Sequence, residues 1–280
     1  MIRRLPADDA EAGLARRDDE GHVGALGRQA GELRAALAML TRLPVASQSG
    51  VGTGARAFAI VGALVGLAGF VPLVGLGAAV PPASAILAVA AMAVLSGGIH
   101  LDGLADTADA LVAVGPDAAE RARKDPAVGA GGAATLILVL GLEVATLTLL
   151  VTGSGPLFAG VTCVVAGTAS RTVPVALVRL ARSRASAGGL GTWFAGRATT
   201  PDAAVALTTG LAVTIAGGLA IGAPALLVAG LVGGIGGVAL GLGLVRARRQ
   251  LDGDLLGASV ELAFAATVLA AAALVGWPSV

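Results

Sequence analysis

The stretch Phe58-Ala59-Ile60-Val61-Gly62-Ala63-Leu64-Val65-Gly66-Leu67-Ala68-Gly69-Phe70-Val71-Pro72-Leu73-Val74-Gly75-Leu76-Gly77-Ala78-Ala79-Val80 is an unbroken apolar run. A helix crossing the hydrocarbon of a bilayer takes about 20 mostly apolar residues, so residues 58–80 read as a membrane span. Runs of the same kind occupy 83–99, 132–151, 156–180, 203–221, 223–245 and 255–275. The expected fold is therefore all-α, a polytopic transmembrane helix bundle of about seven spans. The run 83–99 is short for a full crossing, so it either leans on the polar residues that follow it or stops within the membrane. Ahead of the first span, residues 26–43 carry Leu33, Leu37 and Leu40 at helical spacing with Arg28, Glu32 and Arg34 between them, the pattern of a short amphipathic surface helix.

Composition agrees with the bilayer as solvent. Of 280 residues, 56% are hydrophobic and 13% charged, whereas soluble domains carry about 25% charge. The apolar material is Ala, Gly, Leu and Val, with 43 glycines and 2% aromatics, and such small side chains let membrane helices approach closely. A net charge of +1 with no dense basic run excludes a nucleic-acid partner held by phosphate neutralisation. The single cysteine, Cys163, excludes an intrachain disulfide and a multi-cysteine zinc site. Residues 1–24 mix Asp8, Asp9, Glu11, Asp18, Asp19 and Glu20 with Arg3, Arg4, Arg16 and Arg17, and His22 falls there too. They read as a disordered N-terminal extension, and 25–280 as the integral membrane domain.

Positive charge sorts the connections. Arg34, Arg42 and Arg56 precede the first span, while Arg121, Arg123 and Lys124 follow the second. Arg182, Arg184 and Arg197 follow the fourth, and Arg246, Arg248 and Arg249 the sixth. The alternate connections near Pro81, Ser154 and Gly222 have none. Lys and Arg accumulate on the cytoplasmic side of a cell membrane, which puts the amino terminus and every loop with chemical potential in the cytoplasm and the carboxy terminus outside.

Chemistry concentrates in His100-Leu101-Asp102-Gly103-Leu104-Ala105-Asp106-Thr107-Ala108-Asp109. On a helix, Asp102, Asp106 and Asp109 stand at i, i+4 and i+7 on one face. Three carboxylates so placed repel unless a cation neutralises them, and hard oxygen ligands select magnesium, manganese or calcium over zinc. Magnesium binds few carboxylates and completes its shell with water and phosphate oxygens, which suits a phosphorylated or diphosphate substrate. A solvated amphipathic face is the plainer reading of three aspartates. Here the intervening residues are apolar, the motif abuts a span, and Asp252 and Asp254 lie at the same predicted face beside Arg248 and Arg249. His100 is a candidate general base, metal ligand or donor to phosphate. Glu143, Arg171 and Glu261 fall inside apolar spans, where ionisable groups are costly and mark function by default.

The long acidic motif resembles the signature of the cobalamin synthase (adenosylcobinamide-GDP ribazoletransferase) family. Further matches are Leu40-Thr41-Arg42-Leu43-Pro44-Val45, Lys124-Asp125 with Val128-Gly129, Arg171 with Pro174-Val175, and Gly189-Leu190-Gly191 with Phe194. The last is Gly253-Asp254-Leu256-Gly257-Ala258 with Glu261-Leu262. Together they cover about residues 31–275. Two positions depart from the family's commoner form: Pro126-Ala127 stands where a Ser-Arg pair is usual, and Ala110 replaces a glycine.

The resemblance implies an enzyme that joins adenosylcobinamide-GDP to alpha-ribazole, or its 5'-phosphate, with magnesium required and GMP released. Asp102, Asp106 and Asp109 would hold the metal, and Lys124, Arg171 and Arg248 would contact diphosphate oxygens. Asp252 and Asp254 would complete a second metal position or orient a substrate hydroxyl, and His100 is the first choice for removing the proton. The expected partners are these small molecules and the lipid bilayer, and a homo-oligomer is compatible with the sequence. Two other classes fit parts of the pattern. A CDP-alcohol phosphotransferase of lipid synthesis shares the clustered aspartates but not this spacing. An ion-coupled transporter would explain Glu143, Arg171 and Glu261, yet its ligating groups would gather near the midplane.

Overall fold

The computed structural model describes residues 24, 27–45, 52–115, 119, 121, 127–185 and 188–275. The expected extension at 1–24 therefore lies almost wholly outside the described residues, as does Lys124. The described chain is helical: α1 (27–40), α2 (Phe58–Leu76), α3 (Pro81–Ser96), α4 (Ile99–Val112), α5 (Ala130–Ser154), α6 (Pro156–Leu180), α7 (Gly189–Arg197), α8 (Thr200–Ala220), α9 (Ala225–Arg248) and α10 (Gly253–Val275). Among the described residues the only β pairing is an isolated bridge between Ala185 and Leu251.

Six helices are long and apolar enough to cross a membrane, and the seventh candidate is a bent pair, α3 and α4, meeting at 93°. The bend has a local cause. Gly97 and Gly98 both adopt left-handed backbone, with φ of 67° and 71°, a conformation that only glycine takes without strain. The side chain of Arg42 also packs over Gly97 where a Cβ would stand, and the Arg42 amide donates to Leu95 O at 2.8 Å. The short run at 83–99 thus ends in a break, and the acidic motif sets off at nearly a right angle to α3. At about 1.5 Å per residue, α3 reaches roughly 24 Å, close to the hydrocarbon thickness.

Helix α6 is the hub. Its apolar window is 83% buried, against 28% for α5 and for α8, so the other spans pack around it. Gly62 and Gly66 of α2 meet the backbone of α6 at Gly167 and Cys163 so closely that no Cβ fits between them, which is how small residues bind helices where lipid removes the hydrophobic drive. Cys163 is buried in that contact, as a small hydrophobe. One apolar cluster joins Ala36 and Leu40 of α1 to Phe58, Val175, Phe194, Leu251 and Leu255. A second holds Leu73, Val151, Leu226 and Ala271. Helix α1 is amphipathic as expected, but its buried stripe is Ala36 and Leu40, and Leu33 is exposed. A capping box of Thr199 and Asp202 starts α8, and Asp202 also pairs with Arg56 at 2.6 Å, tying the starts of α2 and α8 together.

Candidate active site around the acidic helix

The acidic motif lies on α4, where Asp102 is exposed, Asp106 partly buried and Asp109 buried. The i, i+4, i+7 spacing holds, but the environments differ along the helix. Asp109 Oδ2 accepts from the Gly129 amide at 2.7 Å and Oδ1 from the Gly132 amide at 2.8 Å. Helix α5 begins Ala130-Gly131-Gly132 after the cap position Gly129, which has no side chain to cap it. Asp109 supplies that cap from α4, satisfying amides that would otherwise lack partners and placing negative charge at a helix amino terminus.

Helix α10 packs across the first turns of α4. Gly103 lies against the backbone of Asp254, and Gly257 against the backbone of His100. Gly103 is needed because a Cβ there would strike Asp254. The crossing brings the backbone of Asp254 against α4 at Gly103, and Asp106 and Asp254 are both engaged by other groups.

Asp252 is buried and differently employed. Its Oδ1 accepts from the Leu255 amide at 2.9 Å, and its Oδ2 accepts from Arg248 at 3.0 Å and from Gln250 Nε2 at 3.0 Å. It caps α10 and pairs with Arg248, whose second terminal nitrogen is buried without a partner. Arg249, next in the chain, is the one non-glycine described residue with positive φ, 58°. The turn between α9 and α10 is therefore tightly held, and the Leu251 amide adds a bond to Arg184 O at 2.7 Å.

Beneath α4, Arg171 is buried within the bundle, where Nη1 donates to Ser170 Oγ at 2.9 Å. With Glu143 of α5 and Glu261 of α10 it lines a small cavity to which Ser96 and Leu101 also contribute. His100, also buried, places Nδ1 3.9 Å from Glu261 Oε1. The structure thus brings together residues from four helices, with Arg171 facing glutamates rather than the aspartates of α4.

A family model described as cobalamin-5-phosphate synthase matches residues 32–272. The chain belongs to the cobalamin-5-phosphate synthase family. Three relatives carry the name adenosylcobinamide-GDP ribazoletransferase. One from Klebsiella pneumoniae is 32% identical over 81% of this chain and 94% of its own length. One from a Nocardioides species is 36% identical over 69% of this chain and 74% of its own. One from Brucella anthropi is 36% identical, and its match spans 50% of this chain and 58% of that relative. No solved structure matches the chain.

For a synthase of this family, whether the donor set suits magnesium is a matter of chemistry on α4. Among the described residues no group of three or more His, Cys, Asp and Glu side chains is gathered closely enough to hold a metal by itself. Magnesium does not require one, since one or two carboxylates with water and substrate phosphate suffice. Asp102 and Asp106, one turn apart on α4, fit that requirement. They would not fit an ion that needs a closed cage of protein ligands. The cap formed by Asp109 has no signature in the sequence, because its partners lie 20 and 23 residues away. The approach of Glu261 to His100 has none either, beyond the rarity of an acid inside an apolar span.

Proposed function

We propose that this chain transfers the adenosylcobinamide phosphate unit of adenosylcobinamide-GDP to a ribose hydroxyl of alpha-ribazole other than the 5' one, a hydroxyl that is free in its 5'-phosphate as well. The products are adenosylcobalamin, or its 5'-phosphate, and GMP. Family membership supports the reaction, and the observation that carries the site is the acidic face of α4, where Asp102 is exposed and Asp106 follows one turn later. The matches favour neither the lipid phosphotransferase nor the transporter.

The hydroxyl oxygen attacks the phosphorus on the cobinamide side of the diphosphate. The bond from that phosphorus to the bridging oxygen breaks, and GMP leaves with the oxygen and the electron pair. His100 accepts the hydroxyl proton. Asp102 and Asp106 would hold magnesium, which when bound neutralises charge on the transferred phosphoryl group and on the departing phosphate. Asp109 keeps α4 and α5 in register, and Asp252 with Arg248 fixes the start of α10, so both order the frame that carries Asp254. Arg171 serves as a positive charge under the site, and Lys124, on the connection after α4, as a contact for diphosphate oxygens. We place the site on the cytoplasmic side of the cell's inner (plasma) membrane, with α3 crossing and α4 lying along that face.

Purified protein should release GMP from adenosylcobinamide-GDP only when ribazole and magnesium are both present. Release without ribazole would make the chain a hydrolase and overturn the reading.

A further inference from the structure

Between α4, α5, α6 and α10 lies a set of buried charges of which the transfer step above employs His100 and Arg171 and leaves Glu143 and Glu261 without a role. Glu143 is 2% exposed, Arg171 3% and His100 5%. They adjoin a cavity of about 20 Å³ lined by Ser96, Glu143, Arg171 and Glu261 among apolar neighbours, room for one water. Three polar atoms there are buried without a hydrogen-bond partner: His100 Nδ1, Glu143 Oε1 and Arg171 Nε.

Charge balance within the set is uneven. One guanidinium in an apolar bundle is neutralised by one carboxylate, and a second buried carboxylate adds desolvation cost with no further need to meet. Glu143 and Glu261 both line the cavity with Arg171, and Glu261 is the one placed toward His100. Its Oε1 is 3.9 Å from Nδ1, within ion-pair distance and a small side-chain adjustment from a hydrogen bond. The approach is fixed by backbone, since Gly257, one turn earlier on the same face of α10, packs directly on His100.

We propose that Glu261 is the positioning residue of His100. Its carboxylate accepts the Nδ1 hydrogen, which fixes the imidazole tautomer and leaves the Nε2 lone pair for the substrate hydroxyl proton. Arg171, lining the same cavity, supplies the positive charge that keeps Glu261 ionised. This rests on the reading of His100 as the proton acceptor.

The test is a mutant cycle in the full-length protein purified in lipid nanodiscs, with GMP release followed at saturating magnesium. Glu261→Gln is expected to lower kcat about 10–100-fold, the usual effect of losing a supporting carboxylate, with KM for both substrates unchanged. Glu261→Asp keeps the charge beside Arg171 but withdraws it from His100, so it should lose kcat similarly. The double variant His100→Ala, Glu261→Gln should be no slower than His100→Ala alone. Near-wild-type kcat in Glu261→Asp would reduce Glu261 to a counter-charge for Arg171 and overturn the proposal. Multiplicative losses in the double variant would overturn it too, while leaving His100 as the base. Full turnover by His100→Ala would instead remove the reading of His100 itself.

Discussion

Asp109 offers the sharpest separation of architecture from chemistry within one motif. Its carboxylate accepts two amides at the uncapped start of α5, and the side chain is 8% exposed. Replacing it with alanine leaves both amides without partners and removes a negative charge from a helix amino terminus. Hydrogen bonds to a charged group contribute about 1.5–3 kcal/mol each, and loss of a cap costs about 0.5–2 kcal/mol. Because water reaches part of the helix end, the combined loss should be about 2–4 kcal/mol, a fall in melting temperature of roughly 5–15 °C for a chain of this size. Thermal unfolding of Asp109→Ala beside Asp102→Ala in one detergent measures it. Asp102, exposed and without such a cap, should lose turnover with little change in melting. If Asp109→Ala melts with wild type while its turnover vanishes, the capping role is wrong and Asp109 acts as a ligand at the site.

Other perturbations test the surrounding frame. Asp106→Asn should abolish turnover while leaving the protein folded, because it weakens metal binding without opening the core; this is checked by GMP release together with melting. Arg171→Met leaves two buried glutamates without a positive partner and should cost about 3–5 kcal/mol, read as a lower melting temperature. Gly97→Ala forces a Cβ into left-handed backbone under Arg42 and should cost at least about 1–2 kcal/mol while lowering turnover by displacing α4; unfolding and activity measured together would show it. Reporter fusions after Gly222 and at Val280 should both report the outside. A cytoplasmic signal at Val280 would mean that the α3 and α4 pair does not cross.

The spans were legible because hydrocarbon length and apolar content are written residue by residue, and the seven runs meet the helices within a few positions. The break after Ser96 was visible only as shortness of the run; its cause, two left-handed glycines under Arg42, depends on contacts made across the fold. The aspartate spacing located α4 and its carboxylate face correctly. It did not separate Asp109, whose employment is set by a glycine-rich helix start on another element, from Asp102 and Asp106. Asp252 and Arg248 were placed together by sequence, but their pairing across the turn into α10 required the turn itself. Arg171 was expected at the catalytic cavity, against substrate phosphate or a carboxylate, and the fold puts Glu143 and Glu261 around it, because α5 and α10 bring their acids to the same depth of the bundle.

The central claim is that the carboxylates of α4 support a magnesium-dependent transfer in which GMP is displaced by ribazole. The most direct measurement is the joint appearance of GMP and adenosylcobalamin in wild type and in Asp102→Asn, each with magnesium and with chelator. Wild type should form the two products in equal amounts only with magnesium, and Asp102→Asn, melting as wild type does, should form neither. Undiminished product formation by Asp102→Asn, or by wild type in chelator, would contradict it.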